Sequence, residues 1–207
     1  MSTALVVVDL QNDFCPGGAL AVPGDERIVP AVNRLAAHFE HVILTQDWHP
    51  PGHMSFASAH KGKQPFETIA LAYGEQTLWP DHCVQGTFGA EFHRLLNAQK
   101  AELVIRKGFR PGIDSYSAFR ENDRATRTGL AGYLGERAIR RIVLCGLATD
   151  FCVGWSAIDG RVAGFEVALV EDACAAIDLD GSLQRARGEM DRAGVCRISL
   201  EQALGTA

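Results

Sequence analysis

The sequence contains no apolar run approaching the roughly 20 residues a membrane-crossing helix needs, and no cluster of basic residues. Asp and Glu together number 25 against 20 Lys and Arg, a net charge of −5. That mildly acidic balance argues against nucleic acid or an anionic membrane surface as partner. The six cysteines (Cys15, Cys83, Cys145, Cys152, Cys174 and Cys196) form no C-x-x-C pair and no charged, apolar leader precedes the first strand, so they read as thiols rather than a disulfide framework. A cytoplasmic location is the corresponding expectation. Also missing are the phosphate-binding G-x-x-x-x-G-K, a G-x-G-x-x-G after the first strand, H-E-x-x-H and G-x-S-x-G. Nucleotide transferase, dinucleotide-dependent, zincin and serine hydrolase readings lose ground accordingly.

What is present is ample material for one core: 207 residues, 47% hydrophobic and 22% charged, the size of a single domain over 1–207. Short, continuously apolar runs alternate with stretches of helical periodicity. The runs at 4–9, 41–46, 102–106, 141–146 and 166–171, with a weaker one at 195–199, read as strands. Helical patterns fall at 26–39, 89–98, 128–138, 150–164 and 182–193. Strands apolar throughout are those buried on both faces. The fold class is therefore α/β: a doubly wound, mostly parallel six-stranded sheet with helices on both faces. Residues 47–88 stand apart, long, weakly periodic and rich in Pro, Gly, His and Trp. A loop region of that length in a compact domain usually carries function.

In an open α/β sheet ligands bind beyond the carboxyl ends of the strands, and several reactive side chains fall there. Asp9 ends the first strand, Asp47 follows the second, Lys107 ends the third and Cys152 lies just after the fourth. Cys152 sits in G-L-A-T-D-F-C, between strand and helix, where Thr149 or Asp150 can cap the helix. The first helical turn predicts a lowered thiol pKa and backbone N–H groups open to an oxyanion. The alternative is that Cys152 is a small buried apolar residue, as free cysteines often are. Asp9 follows three valines and needs a partner, which Lys107 can supply. The pair is then either a structural ion pair or a proton-handling pair that serves the thiol.

A second constellation is Asp47-Trp48-His49 with His82 in Trp-Pro-Asp-His-Cys. On an extended segment i and i+2 point to the same side. A third donor from a Pro-containing turn completes a two-His, one-carboxylate set suited to one divalent metal ion, zinc first, manganese or iron also. His53 is a candidate fourth or outer ligand. Surface loop histidines are the bland alternative, and His38, His41, His60 and His93 are left with it.

Five segments then match a known family in its own order: 6–23 (VVVDLQNDFCPGGALAVP), 45–58 (TQDWHPPGHMSFAS), 78–93 (LWPDHCVQGTFGAEFH), 106–119 (RKGFRPGIDSYSAF) and 146–153 (GLATDFCV). The chain resembles the nicotinamidase/pyrazinamidase family of isochorismatase-like cysteine hydrolases over nearly its full length. DWHP with WPDHC is specific to the metal-binding branch, whereas GLATDFC is shared more widely. The resemblance implies a triad of Asp9, Lys107 and Cys152, and an oxyanion hole of the Ala148 and Cys152 N–H groups. It implies metal ligands Asp47, His49 and His82 with His53 a further candidate, and a cis peptide between Leu147 and Ala148. Phe14, Trp79 and Tyr116, with Leu20 nearby, correspond to the family's ring-binding residues. The activity so implied is hydrolysis of nicotinamide, and of pyrazinamide, through a cysteine thioester, serving salvage toward NAD. Other amidohydrolases of the superfamily acting on carbamoyl amides, a vinyl-ether hydrolase, a redox-sensing thiol protein and a non-catalytic metal scaffold are the competing readings. Oligomeric state, monomer or homo-oligomer, stays open.

Overall fold

The first strand explains the architecture. β1 (Ser2–Val8) buries its last five residues, and their side chains divide by parity. Leu5 and Val7 enter one apolar cluster, while Ala4, Val6 and Val8 enter a second on the opposite face. A strand apolar on both faces must lie in the middle of a sheet covered on both sides. In the structure, a computed structural model that describes residues 2–24 and 27–205, β1 is a central strand of a six-stranded sheet ordered β5-β2-β1-β6-β7-β8. Its partners are β2 (His41–Asp47), β5 (Leu103–Lys107), β6 (Ile139–Leu147), β7 (Glu166–Ala175) and β8 (Cys196–Ile198), and every pairing is parallel.

Helix α1 (Ile28–His38) covers one face with Ile28, Val32 and Leu35, joined by Ala203 of α5 (Leu200–Gly205). The other face is covered by α2 (Leu130–Glu136), α3 (Gly154–Val162) and α4 (Ser182–Ala193), through Leu130, Leu134, Ala157 and Met190. The chain leaves β1 toward β2 on one side and meets β6 on the other, so the strand order reverses between β1 and β6. A crevice opens at that point, beyond the carboxyl ends of the strands.

The expected helix at 89–98 does not form. Only the short 3-10 turns Phe88–Ala90 and Ala98–Lys100 are present. Its backbone is engaged elsewhere: the Asn12 N–H donates to Glu91 O and the His93 N–H to Leu10 O, while Ala90 O accepts from the side chains of Gln11 and Gln46. Pairing with the segment after β1 replaces the helical ladder. The remaining helices agree within a few residues, although residue 26 of the first expected one lies outside the described residues. The pattern at 150–164 begins as a wider π-type turn (Thr149–Val153) before α3. The region 47–88 also contains an unforeseen antiparallel hairpin, β3 (Thr68–Leu71) with β4 (Gly74–Thr77). Among the described residues no helix is long and apolar enough to cross a membrane.

Candidate active site and metal centre

Asp47 and Lys107 end neighbouring strands as register partners, Asp9 follows β1, and Cys152 lies in the turn after β6. Parallel register brings all four to one rim, as expected. Lys107 is the hub. Its Nζ lies 2.7 Å from Asp9 Oδ2 and donates to Asp47 Oδ1 (2.6 Å), Ser115 O (3.0 Å) and Cys152 Sγ (3.3 Å). Carboxylate oxygens of Asp9 and Asp47 and the Cys152 sulfur all lie within 4.8 Å of one another. Asp9 Oδ1 accepts from the Thr45 hydroxyl at 2.6 Å. Asp9 Oδ2 faces the Lys107 ammonium and no other donor.

The electrostatics follow from burial. Asp9 is driven above the ordinary carboxylate range by desolvation and by the neighbouring Asp47 charge, with Lys107 pulling against them. Burial alone would depress Lys107, but Asp47 and Asp9 outweigh it and the ammonium is held well above its usual range. Asp47 stays well below its usual range: burial opposes ionisation, and Lys107 and His49 overcome it. Cys152 corrects the sequence expectation. Burial lifts its thiol well above the ordinary range, opposed by Lys107 and reinforced by Asp9 and Asp47. The capping argument fails as well, because neither side chain caps the turn. The Thr149 hydroxyl donates to Ala175 O (3.0 Å). Asp150 accepts from the N–H groups of Ile177 (3.1 Å) and Asp178 (2.8 Å) and from the Ser182 hydroxyl. Burial and the two neighbouring carboxylates thus favour the thiol, and the Lys107 ammonium at 3.3 Å favours the thiolate.

A narrow cavity opens over the sulfur. Phe14, Leu20, Trp79, Tyr116, Ala148 and Cys152 line it, as do Asp47 and His82. Sequence reading missed three further lining residues: Asp114, Phe151 and Ile177. Phe151 stands edge-on to Trp79 with ring centroids 4.8 Å apart, and near Tyr116 at 5.6 Å. Buried Gln76, from β4, was missed too. It donates to Asp114 Oδ2 (2.9 Å) and Tyr116 Oη (3.0 Å), and so anchors the cavity wall. Nothing in the sequence singled it out, since it sits between Glu75 and Thr77 in a hairpin that was itself not foreseen. The Leu147–Ala148 peptide is cis.

Asp47, His49 and His82 offer ligand atoms that converge within 4.8 Å, all buried. His49 Nε2 and His82 Nε2 lie 3.4 and 3.6 Å from Asp47 Oδ2. Their other nitrogens are fixed by backbone: His49 Nδ1 bonds Gly108 O (2.9 Å) and His82 Nδ1 bonds Pro80 O (2.8 Å). A carbonyl accepting from Nδ1–H turns Nε2 of each ring toward Asp47, the orientation a metal-binding imidazole requires. The donor set therefore fits a divalent cation. His53 packs against His49 (ring centroids 4.4 Å apart), with Nδ1 bonded to Ser55 Oγ (2.8 Å) and Nε2 to Arg110 O (2.9 Å). It is not one of the Asp47, His49 and His82 group, but its ligand atom converges within 4.8 Å on those of His49 and Asp114 in a second buried group.

Residues 3–202 match the isochorismatase domain family. The nicotinamidase of Acinetobacter baylyi is 58% identical over 201 residues, covering 97% of this chain and 94% of the relative. Among solved structures, the nicotinamidase/pyrazinamidase of Acinetobacter baumanii superposes with a TM-score of 0.96 at 57% identity, covering 97% of each chain. The L. infantum PnC1 protein in complex with nicotinate gives 0.85 at 40%, covering 98% of this chain and 94% of the other. The pyrazinamidase of Pyrococcus horikoshii in complex with zinc gives 0.78 at 36%, covering 96% and 99%. A sheet, a rim of reactive groups and a sequence match spanning nearly every residue agree, and the chain belongs to the isochorismatase family.

Proposed function

We infer that this protein is a nicotinamidase, hydrolysing nicotinamide, and pyrazinamide as an analogue, to the carboxylate and ammonia. The observation that carries the reading is the shared ammonium: one buried Lys107 touches Asp9, Asp47 and Cys152, and the last two line an aromatic-walled cavity. Identity of 58% to a nicotinamidase over nearly the whole chain supports the substrate, and a neighbour bound to nicotinate supports the product class.

The flat ring lies between Phe14, Trp79 and Tyr116, whose faces and edges suit an aromatic heterocycle. Asp9 takes the Cys152 proton as the sulfur attacks the amide carbon, with Lys107 compensating the thiolate as it forms. The backbone N–H groups of Ala148 and Cys152 hold the oxyanion, worth roughly 3–4 kcal/mol per donor at comparable sites. The C–N bond breaks as Asp9 delivers the proton to nitrogen, so ammonia leaves and a thioester remains. Water then attacks the thioester carbonyl. Asp9 removes its proton and passes one to the departing sulfur, which restores the thiol and frees the acid.

Asp47, His49 and His82 are the residues that would hold a divalent cation, for which the zinc-bound relative supports zinc. Bound there, it supplies a Lewis-acidic contact for a ring nitrogen. His53 supports His49 from outside the set. The chain acts as one domain over residues 1–207, with 47–88 furnishing metal and pocket groups, and its proposed location is the cytoplasm, where thiols stay reduced.

Replacing Cys152 with Ala tests the covalent scheme. Turnover is expected to vanish while calorimetry still detects nicotinamide binding. Appreciable ammonia release by that variant contradicts a cysteine nucleophile.

A further inference from the structure

Of the three polar side chains between Asp9 and the cavity residue Phe14, Asn12 donates to Phe88 O, while Gln11 and Asp13 reach the two ligand-bearing segments. Gln11 is completely buried. Its amide N–H donates to Asp47 O (2.8 Å) and Ala90 O (2.9 Å), and its carbonyl accepts the Asp47 N–H (2.7 Å). One side chain therefore satisfies both backbone polar groups of a candidate metal ligand. The amide orientation follows from chemistry: two carbonyls can only accept and an N–H can only donate.

Asp13 holds one backbone N–H of the second ligand-bearing segment. One carboxylate oxygen accepts the Cys83 N–H (2.7 Å) and the other the Ala19 N–H (3.2 Å). The Cys83 N–H belongs to the peptide bond leaving His82, and Cys83 itself sits at φ 46°, a conformation side chains seldom adopt. A bond to that N–H fixes the orientation of the peptide on which the His82 ring depends. Gly89 leaves the room for it, since a Cβ there would fall inside the Asp13 carboxylate.

We propose that Gln11 and Asp13 are positioning residues that set the separation of Asp47 and His82 and thereby the affinity of the site for a divalent cation. Asp9, Gln11 and Asp13 then serve, from one loop, the Lys107 ammonium and both ligand-bearing segments. This inference rests on the reading that Asp47, His49 and His82 bind such a cation.

Isosteric substitutions test it, because each reverses a donor or acceptor at nearly constant volume. Gln11→Glu sets a carboxylate oxygen against the carbonyls of Asp47 and Ala90. Asp13→Asn turns an amide N–H toward a backbone N–H. The full-length protein is titrated with cobalt(II), read by its visible absorption and by competition with a chromogenic chelator, with thermal melting recorded alongside. Both variants are expected to melt cooperatively yet bind cobalt on the order of 10–100-fold more weakly, with an altered visible band, as loss of a ligand-orienting partner typically gives. Asn33→Ala, which removes surface hydrogen bonds to Leu95 and Asn97, is expected to match the wild type. Should an isosteric variant fail to fold, Gln11→Met, which drops the hydrogen-bonding groups but keeps the bulk, takes its place under the same expectation. Folded variants with wild-type cobalt affinity and spectrum overturn the proposal. A wild-type protein that binds no cobalt overturns the metal reading itself, and this inference with it.

Discussion

The carboxylate of Asp47 is divided between two tasks: Oδ1 accepts from Lys107 at 2.6 Å, while Oδ2 faces the Nε2 atoms of His49 and His82 at 3.4 and 3.6 Å. The proposed reacting groups and the candidate metal set are therefore one buried electrostatic unit. Lys107 compensates two acids at once, and a change at either end reaches the other through a single side chain.

Removing that cation is expected to be costly twice over. Lys107→Met keeps the stem but leaves Asp9 and Asp47 as neighbouring buried acids. Breaking a buried ion pair from one side typically costs about 3–5 kcal/mol, so urea unfolding is expected to show a loss of that order. Assayed where it is folded, the variant is expected to lose kcat by orders of magnitude. Wild-type stability together with wild-type kcat contradicts the hub role.

Gly108 follows Lys107 at φ +66°, and a Cβ there would overlap the His49 ring. Gly108→Ala is expected to displace the ring and lower the zinc retained after gel filtration, as measured by elemental analysis. Gly112→Ala is the control, since nothing lies within 4 Å of a Cβ at that position. Equal zinc in the two variants contradicts the placement of His49 as a ligand.

The cysteines should separate by environment under alkylation of the folded protein near neutral pH. Cys196 is exposed and is expected to react first. Burial raises the thiols of Cys83 and Cys145 well above the ordinary range and that of Cys174 to about 12, so these should resist. Cys152 is expected to react slowly, and nicotinamide should protect it. Peptide mass mapping that finds Cys152 unaffected by nicotinamide removes it from the substrate cavity.

Most of the rim was legible because strand ends are legible. Continuous apolar runs such as 4–9 and 141–146 locate strands, and parallel register then brings Asp9, Asp47, Lys107 and the Cys152 turn together whatever the loops do. The histidines were legible through spacing, since Asp47 and His49 share a side of an extended segment. What sequence could not supply was the destination of polar loop side chains. Asp150 reads as a helix cap but reaches across to Ile177 and Asp178, and Gln76 belongs to a hairpin with no strong periodicity. Residues 89–98 carry helical spacing, yet Ala90 O is taken by Gln11 and Gln46. The thiol direction was misjudged for a related reason, because a dipole argument made from position alone omits the desolvation that burial imposes.

Asp150 provides a fourth test. Its carboxylate holds the loop that carries Ile177 to the cavity, so Asp150→Asn is expected to raise KM for nicotinamide by more than it lowers kcat. A variant with unchanged KM contradicts a role for Asp150 in holding Ile177 at the cavity wall.

The central claim is met most directly by measuring nicotinate and ammonia released from nicotinamide by the purified protein, before chelation, after chelation and after zinc is restored. The account predicts equimolar products, loss of turnover on chelation and recovery with zinc. No release by folded, zinc-loaded protein contradicts it.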